Sequence, residues 1–271
     1  MAIHSPEYVQ RRRQVRKVRA IVALILLLIL LGALTYLSHL ERLLIDDVKY
    51  YGNVVTKDEE VSRIVEEHLS GKYLWLFPRA NAFLYPKRSI EHSLLSGIPR
   101  LESLDLELNG LNTLNVTLRE RVPKALYCED ITDITMPTGC YFLDSNGYIF
   151  SKAPAFSGAV YFIYSNTTAL ERPLDKQYLS QKEFLPIARF IEKLVELGVR
   201  PRAFIKTGDE YHLVLNGSGK VMWKADEDIN SVALNLEAFL YDEVIAAEED
   251  FLEQILYIDL RFRNKVFYKL K

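Results

Sequence analysis

The side chains with which this chain could do chemistry are five histidines, two cysteines and 36 carboxylates. His4, His39, His68, His92 and His212 show neither His-Glu-x-x-His nor His-x-x-His spacing, the patterns that gather imidazoles around zinc. No Gly-x-Ser-x-Gly elbow, Walker loop or Gly-x-Gly-x-x-Gly turn occurs, and Gly217-Ser218-Gly219 reads as a turn. Cys128 as a nucleophile would need a histidine as its base, and the sequence pairs it with none. Pairs of carboxylates arise in any acidic domain and carry no weight. The chain is therefore read as non-catalytic, with no cofactor and no catalytic metal.

Two features of other kinds remain. Cys128 and Cys140 bracket a short loop and admit three readings: a disulfide, two free thiols or a metal site. In an oxidising compartment the disulfide is favoured, contributing about 2–3 kcal/mol if unstrained. The other feature is backbone. Lys265-Val266-Phe267-Tyr268-Lys269-Leu270 reads as a terminal strand. Its lysines suit an edge protected from aggregation, and the pattern alone favours that reading. The alternative is a docking rail, where a partner strand adds main-chain hydrogen bonds and side chains such as Phe267 give specificity.

The element that must position all of this is Ala20–Leu37, eighteen residues without a charge. As a helix it spans roughly 27 Å, close to a bilayer's hydrocarbon core. Arg11, Arg12, Arg13, Arg16, Lys17 and Arg19 precede it against the single acid Glu7. The basic excess predicts a cytoplasmic N-terminus and an ectodomain beyond about residue 40. A cleaved signal peptide would have a shorter apolar core and a small-x-small site, and a buried core helix would show a polar face. The formal charge is −2 overall, so the ectodomain is mildly acidic and offers no case for nucleic acid.

The rest divides by pattern. Residues 1–19 read as a disordered basic tail and 20–38 as the membrane helix. Leu44–Tyr51 reads as a strand ending at Gly52-Asn53. Thr56 is a candidate N-cap for a helix whose stripe is Val61, Ile64, Val65, His68 and Leu69. The aromatic stretch from Gly71 to Pro86 is expected to pack between helices, although its aromatics could face the membrane. A helix over Lys87–Ser96 and strands over Leu101–Leu108 and Leu114–Glu120 complete an α+β layer over 44–121. Short strands follow over 122–271, with helices expected over Ser180–Gly198 (its firm part beginning near Pro186) and Ile229–Val244, and two final strands around Phe262-Arg263-Asn264.

Three motifs, in order and spacing, resemble the bacterial division proteins FtsQ/DivIB. They are Val48-Lys49-Tyr50-Tyr51-Gly52-Asn53-Val54-Val55, Leu114-Asn115-Val116-Thr117-Leu118-Arg119-Glu120-Arg121-Val122-Pro123, and Ile258-Asp259-Leu260-Arg261-Phe262. Cys140–Phe150, with its Leu-Asp-x-x-Gly-x-Ile-Phe core, is similar to the start of that family's β domain. Phe262 stands where the family has Tyr, and the cysteine loop is not a general family feature. The resemblance implies a β-α-α-β-β POTRA domain over 44–121 and a β-rich domain with two helices over 122–271. It implies a scaffold at the division septum that binds FtsB/DivIC-like and FtsL-like bitopic proteins and helps control septal peptidoglycan synthesis. It places the partner role on Tyr257, Asp259, Arg261 and Phe262 of the penultimate strand and on Val266, Phe267 and Tyr268 of the last. The competing class is a membrane-anchored POTRA-type protein of envelope transport or assembly; those normally carry repeated POTRA units.

Overall fold

The computed structural model describes residues 6–156, 158, 160–246, 250–262 and 265–271. The architecture is α+β, with one N-terminal apolar helix and a large β-sheet domain. The chain forms two compact units that meet in sequence at Glu120 and Arg121.

The first unit opens with α1 (Pro6–Ser38). Its Arg13–Ser38 stretch is long and apolar enough to cross a membrane, and its most apolar window is 0% buried against protein. A buried core helix is thereby excluded. Residues 6–19 are helical where an irregular tail was expected. Arg, Lys and Gln are good helix formers and no Gly or Pro interrupts 7–19, so the helix already nucleated in the apolar run extends backwards. Residues 1–5 of that tail lie outside the described residues.

After a single turn at Glu41–Leu43 come β1 (Asp47–Tyr51), α2 (Asp58–Leu69), the two-residue strands β2 (Lys72–Tyr73) and β3 (Phe77–Pro78), α3 (Lys87–Gly97), β4 (Leu101–Asn109) and β5 (Thr113–Glu120). β1, β5 and β4 make a three-stranded sheet, with β1 parallel and β4 antiparallel to central β5. Val61 and Val65 of α2 and Ile90 and Leu94 of α3 are buried against Leu106, Leu114, Val116 and Leu118 of the sheet. The 3.6-residue stripe of α2 meets the two-residue alternation of β5 there.

Two further expectations for this unit change. Thr56 does not cap α2; Lys57 holds that position without a side-chain bond. The preceding loop is organised by Glu120, whose carboxylate accepts the N–H groups of Val54, Val55 and Thr56 at 2.8–3.2 Å. Tyr85, at the end of the aromatic stretch, packs against the core of this unit, but the middle of the stretch does not. β2 and β3 form a tight hairpin whose tip residues Leu74 and Trp75 have positive φ and turn their side chains outward.

Partial burial raises the affinity of Glu120 for a proton, but the donors from Thr56, Val54 and Val55 outweigh it and hold the carboxyl below its ordinary value. A depressed folded-state value means that its stabilisation is complete above the unfolded carboxyl's range and is lost as pH falls through the folded value. Glu120→Ala should destabilise this unit by about 1–2 kcal/mol at neutral pH, the scale of lost charge-assisted bonds at a helix start. In Glu120→Gln the acid-dependent part of that loss should be absent. Hydrogen exchange of the Val61–Leu69 amides between neutral and acid pH reads both effects.

The second unit contains β6 (Ala125–Asp130), β7 (Thr138–Leu143), β8 (Tyr148–Lys152), β9 (Ile163–Asn166), β10 (Lys176–Gln177), α4 (Gln181–Glu196), β11 (Pro201–Thr207), β12 (Glu210–Leu215), β13 (Lys220–Lys224), α5 (Ile229–Leu240), α6 (Glu243–Ala246), α7 (Phe251–Gln254), β14 (Ile255–Phe262) and β15 (Lys265–Leu270). They build a ten-stranded sheet in the order β10-β8-β7-β6-β9-β11-β12-β13-β14-β15. The pairs β6–β9, β9–β11 and β13–β14 are parallel and need crossovers; α4 lies within the β9–β11 crossover and α5–α7 within the β13–β14 one. Phe184, Ile187 and Phe190 of α4 and Val232 and Leu236 of α5 bury one sheet face.

α4 begins at Gln181, earlier than Pro186 suggested. A capping box between Ser180 and Glu183 holds its first turn. The second helix stops at Leu240, with the short α6 following. Arg263 and Asn264, expected between the final strands, lie outside the described residues.

Arg121 opens this unit and is bonded within it. Its Nη1 donates to Asp144 Oδ2 at 2.6 Å, and its guanidinium lies 4.0 Å over the Tyr148 ring. Asp144 Oδ1 accepts the N–H groups of Asn146 and Tyr148 at 2.8 and 3.0 Å, closing the β7–β8 turn. Glu120 and Arg121 are thus consecutive residues that each brace a different unit.

Candidate functional site

The sequence places Lys265–Leu270 at the chain's end, and the fold makes it β15, the last strand of the ten-stranded sheet. Among the described residues β15 pairs only with β14, antiparallel, with Tyr257 opposite Lys269, Ile258 opposite Tyr268 and Asp259 opposite Phe267. Irregularities fall in β14, between Ile255 and Tyr257 and between Asp259 and Phe262, so β15 itself runs without interruption.

The direction of its backbone groups follows from one bond. The Lys271 N–H donates to Gln254 O at 2.9 Å, toward β14. Alternate residues of a strand aim their polar backbone groups at opposite neighbours. Lys265, Phe267 and Lys269 therefore turn theirs into the β14 ladder. Val266, Tyr268 and Leu270 present N–H and C=O on the open side.

Side chains alternate as well. Tyr268 leans on Phe239 and Phe251, with ring centroids 5.3 and 5.8 Å away, and Val266 packs against the same core. Phe267 meets Phe262 edge to face at 5.3 Å, and both are about half exposed. The edge thus offers an apolar pair at its centre, two lysines beside it and a row of backbone groups. That combination can take an extended segment with small, apolar and acidic side chains.

Beneath it lies an ion cluster. Arg261 donates Nε and Nη2 to the two carboxylate oxygens of Asp259 at 2.9 and 2.6 Å, and Nη1 to Glu210 of β12 at 2.7 Å. His212 Nε2 lies 3.3 Å from the other Glu210 oxygen. The Arg261 hydrogen bonds are the first cause holding both the Asp259 and Glu210 carboxyls below their ordinary range, and those to Asp259 and Glu210 raise Arg261. Such a clamp stays fully ionised at neutral pH and is unsuited to proton transfer. Its geometry fixes the β14 backbone beside the edge.

The structure brings Tyr257, Asp259, Arg261, Phe262, Val266, Phe267 and Tyr268 onto the two outermost strands. It divides them by exposure: Phe262, Phe267 and Tyr268 are exposed, Tyr257, Arg261 and Val266 are intermediate, and Asp259 is buried. Glu210, Phe239 and Phe251 were not foreseen; each lies at least a dozen residues from its partner at the edge. Cys128 and Cys140 face each other across β6 and β7 and form a disulfide on the sheet face away from the large core. Among the described residues no group of three His, Cys, Asp or Glu side chains could hold a metal ion.

No protein-family model matches this chain, and no curated protein matches it.

Proposed function

We propose that this protein is a non-catalytic scaffold of the bacterial division septum, acting as FtsQ/DivIB proteins do. A POTRA domain over 44–121 and a partner-binding β domain over 122–271 stand outside the cytoplasmic membrane on one N-terminal span. The observation that carries the proposal is the open edge of β15, with its outward backbone groups and the half-exposed Phe262–Phe267 pair. An FtsB/DivIC-like bitopic partner adds a strand there, and the β domain also binds an FtsL-like protein.

Two further observations support the topology. The basic residues of 11–19 favour an N-terminus inside. The Cys128–Cys140 disulfide suits the oxidising side of the membrane.

The test is a proline scan of the edge. Proline at an outward-facing position removes an N–H that would donate to a partner strand's carbonyl, without breaking the β14 ladder. Tyr268→Pro and Val266→Pro should each weaken binding of the FtsB/DivIC-like ectodomain about tenfold, the loss of one net hydrogen bond and its alignment. Phe262→Ala and Phe267→Ala leave the backbone intact and should also weaken it. Circular dichroism checks folding, and titration calorimetry reads affinity. Wild-type affinity in all the folded variants would refute strand addition at this edge.

A further inference from the structure

The segment between α2 and α3 carries large apolar side chains outward. Trp75 is 92% exposed, Leu74 79% and Phe83 72%, and Leu76 and Leu84 are also exposed. Leu74 and Trp75 form the hairpin tip with φ of +49° and +60°. A left-handed backbone is strained for a non-glycine residue, so the turn holds these side chains out at a cost in local stability.

This hairpin is fastened to the exit of the spanning helix. Buried Asn81 donates Nδ2 to Ser38 O, at the last residue of α1, at 3.0 Å. Its Oδ1 accepts the Phe83 N–H, also at 3.0 Å. The Ala82 N–H donates to Leu43 O at 2.9 Å and the Ile45 N–H to Ala80 O at 2.8 Å. β3 also packs against α1.

We infer that Tyr73–Leu76, with Phe83 and Leu84, seats in the interfacial layer of the bilayer that α1 crosses, as an apolar wedge beside the span. The patch is continuous with the end of a helix whose own apolar surface is unburied, which is why lipid is its occupant. Tryptophan and tyrosine combine an apolar body with a polar edge and are enriched at that boundary. Arg79 lies 5.3 Å over the Tyr73 ring, and exposed Lys72 begins the hairpin; both supply cations for headgroup phosphates. The wedge would fix the tilt of the first unit against the membrane surface. It depends on α1 as a span and is independent of the division reading.

The chain has two tryptophans, and the other, Trp223, is buried. The difference between the emission of the full-length wild-type chain and Trp75→Phe therefore reports Trp75 alone. Both chains are reconstituted in phosphatidylcholine vesicles with lipid brominated either high on the acyl chain or near its end. The expected result is blue-shifted Trp75 emission, most of it quenched by the high bromines and less by the deep ones. Emission typical of tryptophan in water overturns the wedge. So does a blue-shifted emission that neither lipid quenches, which would put the tip against protein, such as a second copy.

Discussion

Gly52→Ala should destabilise the N-terminal unit by about 3 kcal/mol or more, among the largest effects of any single methyl group in this chain. Gly52 has φ +80°, and a Cβ there would lie 2.2 Å from the Leu118 carbonyl oxygen. The left-handed backbone alone costs about 1–2 kcal/mol. The overlap adds to this because the obstacle is main chain in β5 and cannot swing aside as a side chain would. Either the end of β1 separates from β5 or the sheet shifts. Gly71 is the control, since it has φ +83° with nothing within 4 Å of a built Cβ. Gly71→Ala should show the backbone cost alone. Hydrogen exchange of β1 and β5 amides in the two variants separates the terms, and equal losses would contradict the steric account.

Arg121→Met should cost the C-terminal unit about 3–5 kcal/mol, because it strands a buried carboxylate. The Asp144 side chain is 6% exposed and its Oδ2 is held by Arg121. Two backbone N–H groups remain on Oδ1, but they do not neutralise the charge. Adding Asp144→Asn to Arg121→Met should recover part of the loss, since the neutral amide no longer needs a counterion. Urea unfolding followed by the fluorescence of buried Trp223 measures this unit. A midpoint unchanged in Arg121→Met would show that the pair contributes little.

Local order was legible in the sequence where short-range chemistry sets it. The Val61, Ile64, Val65 stripe announced α2, and Gly52-Asn53 announced the end of β1. Eighteen uncharged residues announced the apolar helix. What escaped was set by distant residues. Nothing near Thr56 shows that Glu120, 64 residues on, takes its N–H. The order of the large sheet depends on parallel pairs whose strands are separated by whole helices, such as β13 and β14. Aromatic composition suggests packing between helices, or a membrane face, for the whole of Gly71–Pro86, because a positive φ at Leu74 and Trp75 leaves no mark on residue type.

At the edge, the strand pattern was legible but the facing of each amide was not. Phe267 reads as the centre of a docking rail, yet its N–H belongs to the β14 ladder and those of Val266 and Tyr268 face outward. Likewise Asp259 and Arg261 read as partner contacts. The structure joins them to each other and adds Glu210.

This facing allows the most direct test of the proposed docking at this edge. Amide exchange across Lys265–Leu270 would be measured on the full-length chain in nanodiscs, with and without the FtsB/DivIC-like ectodomain. Strand addition predicts that the Val266 and Tyr268 amides become protected on binding, while those of Phe267 and Lys269, already in the β14 ladder, stay as they were. A bound partner that leaves Val266 and Tyr268 exchanging as in the free chain would contradict it.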